Sequence, residues 1–406
     1  MRILLVHNFY GSSAPSGESQ VYETEKDMLQ SRGHDLAEFT RHSDEIRGRG
    51  AWGAIKGAAA TPWSPWAARD IRQAVAHFRP DVVHVHNTFP LISPSIFHAL
   101  AGMGVSRVLT LHNYRLFCPA AILMRAGHVC ADCLTRRSVL PALQHGCYRG
   151  SRLATLPLAT NVALHRLLGT WTKQVEVFIA LTEFQRERVI QAGLPADLVH
   201  VKPNFYPGNP AIVPWADRKA SVVFAGRLTA EKGVLVLVRA WLIWGASAPE
   251  LRIVGEGGLR VELERLAATA PDVPIRFLGQ LGGAAAQDEI ARASLLVLPS
   301  ECFEGFPMVV REAFAFGTPA AVSNIGPLPS IVRQGDNGVL FAPGEPQSLL
   351  AAVRMVWETA GELERLAAGA RRSFETLYTE EANYRILMAI YAQAMEASQR
   401  RRDADQ

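Results

Sequence analysis

Apolar runs separated by amphipathic stretches recur from one end of the chain to the other, and this alternation constrains the fold more than any single motif. The first half carries "RILLVH" (2–7), "DVVHVHN" (81–87), "RVLTLHN" (107–113), "VEVFIALT" (175–182) and "VHVKPN" (199–204). The second carries "ASVVFAG" (220–226), "ELRIVG" (250–255), "PIRFLG" (274–279) and "SLLVLPS" (294–300). Strands that are apolar at nearly every position cannot leave a face in water, so they belong to parallel sheets covered by helices on both sides. A helix is expected over about 21–32, and the chain from about Pro346 reads as helical, ending in the polar tail "SQRRRDADQ". Between the halves, "KPNFYPGNPAIVPWADR" (202–218) holds four prolines and a glycine and reads as a linker.

The expected fold class is therefore α/β: two doubly wound, Rossmann-like domains facing a cleft. Residues 1–203 form an N-terminal domain with a cysteine-rich insertion at about 114–150. Residues 204–375 form a second domain, and 376–406 form a helix and tail returning toward the first. A length of 406 residues with 49% hydrophobic residues suits two such domains. A net charge of +4 is too small to point to nucleic acid. The opening apolar run, Ile3–Val6, is too short for a signal sequence, and no run approaches the length of a membrane span, so a cytoplasmic protein is expected.

Ligands of such sheets bind beyond the carboxyl ends of the strands. There "SVVFAG" runs into "GRLTAEKG" (226–233), "ELRIVG" into "EGGLR" (256–260), and "SLLVLPS" into "PSECFEGFPMVVREA" (299–313). These ends offer the cations Arg227 and Lys232, a glycine turn, and the carboxylates Glu304 and Glu312. A diphosphate needs cations and backbone N–H groups, and a ribose needs a carboxylate to accept its hydroxyl protons. Pro307 suits the first turn of a helix that Gly317 and Pro319 would end, turning the amides of Gly305–Met308 toward a ligand. Solvated helix-start acids are the bland reading of Glu304 and Glu312; the cations at a second strand end argue against it. "GEGG" (255–258) lacks the third glycine of a dinucleotide fingerprint, with Arg260 in its place.

In order and spacing, "GRLTAEKG", "EGFPMVVRE", "LRIVGEGG", "PDVVHVHN", "TLHNYRLFCP" and "ALTEFQRERVIQAGLP" resemble the retaining family-4 glycosyltransferases of GT-B fold, over nearly the whole chain. Glu304 and Glu312 meet that family's E-x7-E signature. The resemblance implies a hexosyltransferase of bacterial surface polysaccharide type, using a nucleotide-diphosphate sugar and a glycan or lipid-linked acceptor. It implies that Arg227 and Lys232 hold the diphosphate, with Gly226 and Gly255 in the same donor loops. Glu304 and the backbone of Gly305, Phe306, Pro307 and Met308 would address the sugar and phosphate, Glu312 the ribose, and His112 the transferred sugar. Gly17 stands where the family has a glycine pair, here Ser16-Gly17, so that loop departs from the pattern. No D-x-D pair is well placed for a divalent ion, so no cofactor is expected for catalysis. The alternatives are a nucleotide-sugar-binding scaffold subunit without catalysis, or a nucleotide-sugar 2-epimerase.

Three features stand apart from the donor motifs. His84 and His86 alternate on one face of their strand and read as structural or cleft-lining rather than as metal ligands. Cys118, Cys130, Cys133 and Cys147 follow C-x11-C-x2-C-x13-C, a pattern open to a structural zinc knuckle, to reduced core thiols, or to a redox pair at Cys130 and Cys133. Cys302 reads as a small buried hydrophobe. Residues 46–69 hold Trp52, Trp63, Trp66, Arg47, Arg49, Lys56 and Arg69 with no acid, which fits either a peripheral contact with the inner membrane face or an ordinary loop and packed helix.

Overall fold

The computed structural model describes residues 1–11 and 16–404, with side chains as far as residue 403. The chain divides into two compact units: Met1–Leu123 with Cys130–Pro203 and the residues from Asn383 onward, and Met124–Val129 with Asn204–Ala382. It leaves the second unit inside the last helix, Glu380–Ala404, rather than at the 375/376 boundary expected from sequence. The later exit has a local cause. Tyr206 donates its amide to the Tyr378 carbonyl at 2.9 Å and bridges to Thr379, which ties the start of that helix to the second unit.

In the first unit lie β1 (Arg2–Phe9), β2 (Asp35–His42), β3 (Val82–Val85) and β4 (Ser106–Leu111); the chain then forms a small hairpin counted with the second unit, β5 (Met124–Arg125) and β6 (His128–Val129), before β7 (Val177–Ala180) and β8 (Val199–Val201) complete the first. The main sheet runs β2-β1-β3-β4-β7-β8, with every pairing parallel. Ile3, Leu4, Leu5 and Val6 are all buried although successive side chains point to opposite faces, so helices cover both sides of β1. Strand β2, "DLAEFTRH", escapes sequence reading because it is the sheet edge, with only Phe39 fully buried. The first helix, Gly17–Ser31, starts before the expected Val21, because the Ser16 side chain accepts the Ser19 amide at 3.2 Å and caps it. Residues 12–15, part of the loop before Gly17, lie outside the described residues.

The second unit contains β9 (Lys219–Ala225), β10 (Glu250–Val254), β11 (Ile275–Gly279), β12 (Ala293–Leu298), β13 (Ala320–Ser323) and β14 (Gly338–Phe341), all parallel in the order β11-β10-β9-β12-β13-β14. This is the doubly wound nucleotide-binding order, and its direction reverses between β9 and β12. In the first unit the reversal falls between β1 and β3. The helix Val234–Trp244, "VLVLVRAWLIW", packs onto Phe224, Leu251, Leu295 and Val297, and buries Trp241 completely with its indole N–H on the Pro249 carbonyl at 2.8 Å. Two glycines let the loops at the reversal close. Gly233 has φ +65° and a Cβ there would stand 1.8 Å from the Pro299 oxygen; Gly255 has φ +133° with the Gly226 oxygen 1.9 Å from its Cβ position. Only glycine fits either place.

Candidate active site

At the reversal of the second sheet, the turn after β9 carries Arg227 and Lys232, and the loop after β12 carries Glu304. Lys232 Nζ donates to both carboxylate oxygens of Glu304, at 2.7 and 3.0 Å, and the Ser300 hydroxyl donates to Oε1 at 2.6 Å. Burial pushes the Glu304 carboxyl up, but the Lys232 ammonium and these hydrogen bonds outweigh it and hold the carboxyl below its ordinary value. Burial likewise works against the Lys232 charge, and Glu304 more than compensates, raising it. Arg227 is different: its side chain is 70% exposed and pairs with Glu231 at 3.2 Å. An exposed pair of this kind is weak, so the guanidinium is free to turn to another anion.

Pro307, expected inside the first helical turn, instead caps it with ψ 86°, and the helix runs Met308–Ala315. The first amides of that helix have no partners along it. Glu312 lies one turn in, on a helix whose other face buries Val310, Ala313 and Phe314. Burial raises the Glu312 carboxyl, opposed by Arg311, whose Nη2 approaches it at 3.3 Å. Arg311 is itself buried and donates to the Phe205 carbonyl. Gly226, Gly255 and Gly305 lie in the same three strand-end loops, and Phe306 is buried with its ring 5.9 Å from that of Tyr378. Thus Lys232 and Glu304 are in direct contact, while Arg227 and Glu312 hold other partners.

The first unit has its own cluster at the ends of β3 and β4. His112 Nε2 lies 3.1 Å from His86 Nδ1, and the two rings stack at 5.2 Å. Behind them, Glu25 of the first helix approaches His84 Nδ1 at 3.1 Å and His86 Nε2 at 3.3 Å through one oxygen, while its other oxygen takes a 2.6 Å hydrogen bond from Lys202. Among the described residues this is the one trio of His, Cys, Asp or Glu ligand atoms lying within 4.8 Å of one another. The Lys202 ammonium is the cation that balances the Glu25 carboxylate. Burial, and then His86, hold the His112 imidazole well below its usual value, so it is neutral at physiological pH.

Sequence reasoning missed Glu25 and also Glu18. Asn113, the residue after His112, donates to Glu18 Oε2 at 3.3 Å, while Glu18 Oε1 is buried without a partner. Burial pushes the Glu18 carboxyl up to about 7, against the pull of Arg115 and of hydrogen bonds from Tyr10 and Asn113. The signal was present in "SGES", an acid one residue past the glycine that ends a strand-end loop.

The four clustered cysteines lie in the first unit and form no disulfide, Cys118 and Cys133 being buried and Cys130 and Cys147 partly so. Cys118 accepts N–H groups from Leu123, Ala120 and Ala121, and Cys133 accepts that of Ala142. Burial pushes the Cys133 thiol up to about 11, and Cys118, Cys147 and Cys130 each add to the shift, so the four sulfurs share one neighbourhood. Cys302 is a buried thiol raised to about 12, by burial first and then by Glu304.

Both halves of the chain match known protein families. Residues 17–207 match the model "Glycosyltransferase Family 4" and residues 219–359 match "Glycosyl transferases group 1". The chain belongs to this glycosyltransferase family. It is 33% identical over 193 residues to D-inositol 3-phosphate glycosyltransferase of Nocardioides sp., covering 43% of this chain and 42% of that one. It is 25% identical over 233 residues to the amylovoran biosynthesis glycosyltransferase AmsK of Erwinia amylovora, covering 53% and 56%. The chain thus spans about half the length of these curated relatives. Anabaena HepE, solved with UDP, superposes with a TM-score of 0.65 over 97% of this chain and 100% of that one at 18% identity. That likeness establishes the two-domain GT-B fold.

The raised Glu18 carboxyl sets a pH dependence. A folded-state value above the unfolded one means that the native protein holds this proton more tightly, so the contribution to stability is fully present below the unfolded value and is lost as pH rises toward about 7. Glu18→Gln is expected to flatten the fall in Tm between about pH 5 and about pH 8. An identical pH profile in the variant would show that Glu18 titrates as an ordinary surface acid.

Proposed function

We propose that this protein transfers a hexose from a nucleotide-diphosphate sugar to a glycan or lipid-linked acceptor in bacterial surface polysaccharide assembly, with retention of anomeric configuration and without a catalytic metal. The observation that carries the reading is the Lys232–Glu304 pair, set by glycine loops at the reversal of a nucleotide-binding sheet. HepE, of the same fold, was solved with UDP-glucose, which favours a uridine nucleotide here. AmsK, a relative by sequence, favours a surface polysaccharide.

In this reading the diphosphate competes with Glu304 for Lys232 and draws Arg227 from its weak pair with Glu231. As the bond from the anomeric carbon to the departing phosphate oxygen breaks, negative charge grows on the diphosphate. Lys232, Arg227 and the amides of Gly305, Phe306 and Met308 stabilise that charge with little reorganisation. Glu304, released from Lys232, accepts hydrogen bonds from sugar hydroxyls, and Glu312 accepts those of the ribose. His112 is assigned to the transferred sugar. The departing phosphate takes the acceptor proton as the acceptor oxygen attacks the same face, so bond formation and proton transfer balance without a separate base.

Two further features belong to this proposal. The stretch 114–150 contains little regular structure beyond its hairpin and two short helices, and Ala121, Leu123, Ala126, Arg137 and Arg149 all adopt positive φ. Such a segment is strained and has a small core, conditions under which a cross-linking ion stabilises most. We assign Cys118, Cys130, Cys133 and Cys147 a structural zinc, drawn in to tetrahedral thiolate distances on binding. Trp52 and Trp66, 79% and 57% exposed on neighbouring helices, are assigned to contact with an anionic membrane surface on the cytoplasmic side.

Lys232→Ala is expected to lower transfer from the responsive donor about 100-fold or more. The nucleotide is found by thermal shift against UDP, GDP, ADP, CMP and dTDP; at ~100 times Kd a ligand adds about 2.7 kcal/mol, a readable change. Unchanged turnover would move the donor site elsewhere, and silence toward every nucleotide would favour a scaffold. Protein purified without added metal should carry about one zinc per chain by elemental analysis; a metal-free, fully folded chain refutes the ion. Sedimentation with anionic vesicles at low salt should deplete the protein from solution, and Trp52→Ser with Trp66→Ser should abolish this. Indifference to vesicles removes the membrane contact.

A further inference from the structure

The His112 imidazole cannot work on a sugar hydroxyl without a defined choice of which nitrogen carries its proton, and that choice is made behind it. His86 Nε2 is buried and has no hydrogen-bond partner beyond Glu25 Oε1, 3.3 Å away, while that oxygen also lies 3.1 Å from His84 Nδ1. His84 Nδ1 already has the Tyr391 hydroxyl at 2.7 Å, so although the approach of Glu25 to His86 is off the ideal line, His86 Nε2 has only Glu25, and leaving it unsatisfied is costly in a buried site. Glu25 is a carboxylate, since Lys202 donates to its other oxygen at 2.6 Å while both side chains are 1% exposed. A carboxylate only accepts, so the proton between the two atoms belongs to His86 Nε2.

The consequence passes along the stack. With its proton on Nε2, neutral His86 offers a lone pair at Nδ1, and this atom lies 3.1 Å from His112 Nε2. His112 must therefore donate from Nε2, which leaves its Nδ1 as an acceptor. A doubly protonated His86 would reverse the chain. It would also place a second positive charge beside a carboxylate whose single charge Lys202 already matches, with His84 and His7 close by at ring separations of 4.4 and 6.4 Å. His84 does not compete for the role, because Tyr391 and Thr110 each lie 2.7 Å from one of its nitrogens.

We infer that Glu25 is a positioning residue which, through His86, fixes His112 as the tautomer with its proton on Nε2 and its lone pair on Nδ1. This rests on the reading of His112 as a sugar-contacting residue and extends it. It predicts that the hydroxyl His112 meets through Nδ1 is a proton donor, so the relay would select donor sugars that keep that hydroxyl over deoxy analogues.

The test reads the proton directly, by nitrogen-15 NMR of the histidine rings in the uniformly labelled full chain. Wild type is expected to show a protonated, pyrrole-type Nε2 and a bare, pyridine-type Nδ1 for His112. In Glu25→Gln the amide oxygen must face Lys202, which turns the NH2 toward His86 and inverts the relay, so the His112 proton moves to Nδ1. His86→Phe, which keeps a ring but no nitrogen, should leave His112 without a single tautomer. With an active donor in hand, both variants should lose at least tenfold in kcat with donor KM nearly unchanged. A wild-type His112 proton on Nδ1 overturns the inference, as does an unaltered His112 tautomer in a folded His86→Phe protein. Because the spectra need no turnover, failure of the transferase reading and failure of the relay are separately visible.

Discussion

A parallel sheet covered on both faces leaves only the ends of its strands for polar chemistry, and this confinement organises everything else in the molecule. In both units the strand interiors are apolar to either side: Val222, Val223 and Phe224 of β9 and Leu295 to Val297 of β12 are wholly buried. A functional carboxylate or ammonium among them would be desolvated without relief. The carboxyl ends escape this, because the chain there turns into loops and helix N-termini that supply backbone N–H groups. Lys232, Glu304, His86 and His112 all stand at such ends, and the reversals in strand order open the crevices next to them.

Charges that do enter the interior come paired, and the pairs differ in what holds them. Arg107 and Glu176 meet through bidentate bonds of 2.6 and 3.0 Å, with the Phe97 carbonyl on the remaining guanidinium nitrogen, and so lock β4 to the segment before β7. Lys202 and Glu25 join the end of β8 to the first helix, with Asn383 of the last helix 3.3 Å from the same ammonium. Removing one partner of either pair would strand the other in a dry interior, which destabilises more strongly than the intact pair stabilises.

Much of this was legible in the sequence, for a physical reason. Strands buried on both faces are apolar at nearly every position, so β1, β3, β4, β7, β9, β10 and β12 announce themselves. The edge strand β2 alternates weakly and includes three charged residues, and β13, "AAVS", is built mostly of small residues, so neither carries a readable pattern; β14, "GVLF", was missed despite its apolar sequence. The donor motifs were legible because they are local: "GRLTAEKG" holds its cations and its glycines within one turn. The Glu25 network was not. Glu25 sits between Glu23 and Asp27 on an ordinary-looking acidic helix, its lysine lies 177 positions further on, and only the closing of the sheet brings them together. Glu18 stands in the quoted "SGES" and carried a signal; what the sequence could not show is the burial that raises its carboxyl.

The same contrast separates a charge that holds the fold from a charge that can serve a ligand. Both lysines, Lys202 and Lys232, pair with a glutamate at 2.6–2.7 Å, and by distance alone they are alike. Their surroundings differ. The Lys202 pair is 1% exposed on both sides and is enclosed by His84 and Asn383, so no outside anion can reach it. The Lys232 pair is 20% and 11% exposed, stands on two loops rather than on packed elements, and has exposed Arg227 beside it. In the proposed exchange a diphosphate would take over Lys232 with Arg227 and the nearby amides, while Glu304 keeps the bond from Ser300. An ion pair open to such exchange suits a ligand; one closed to it holds the fold together.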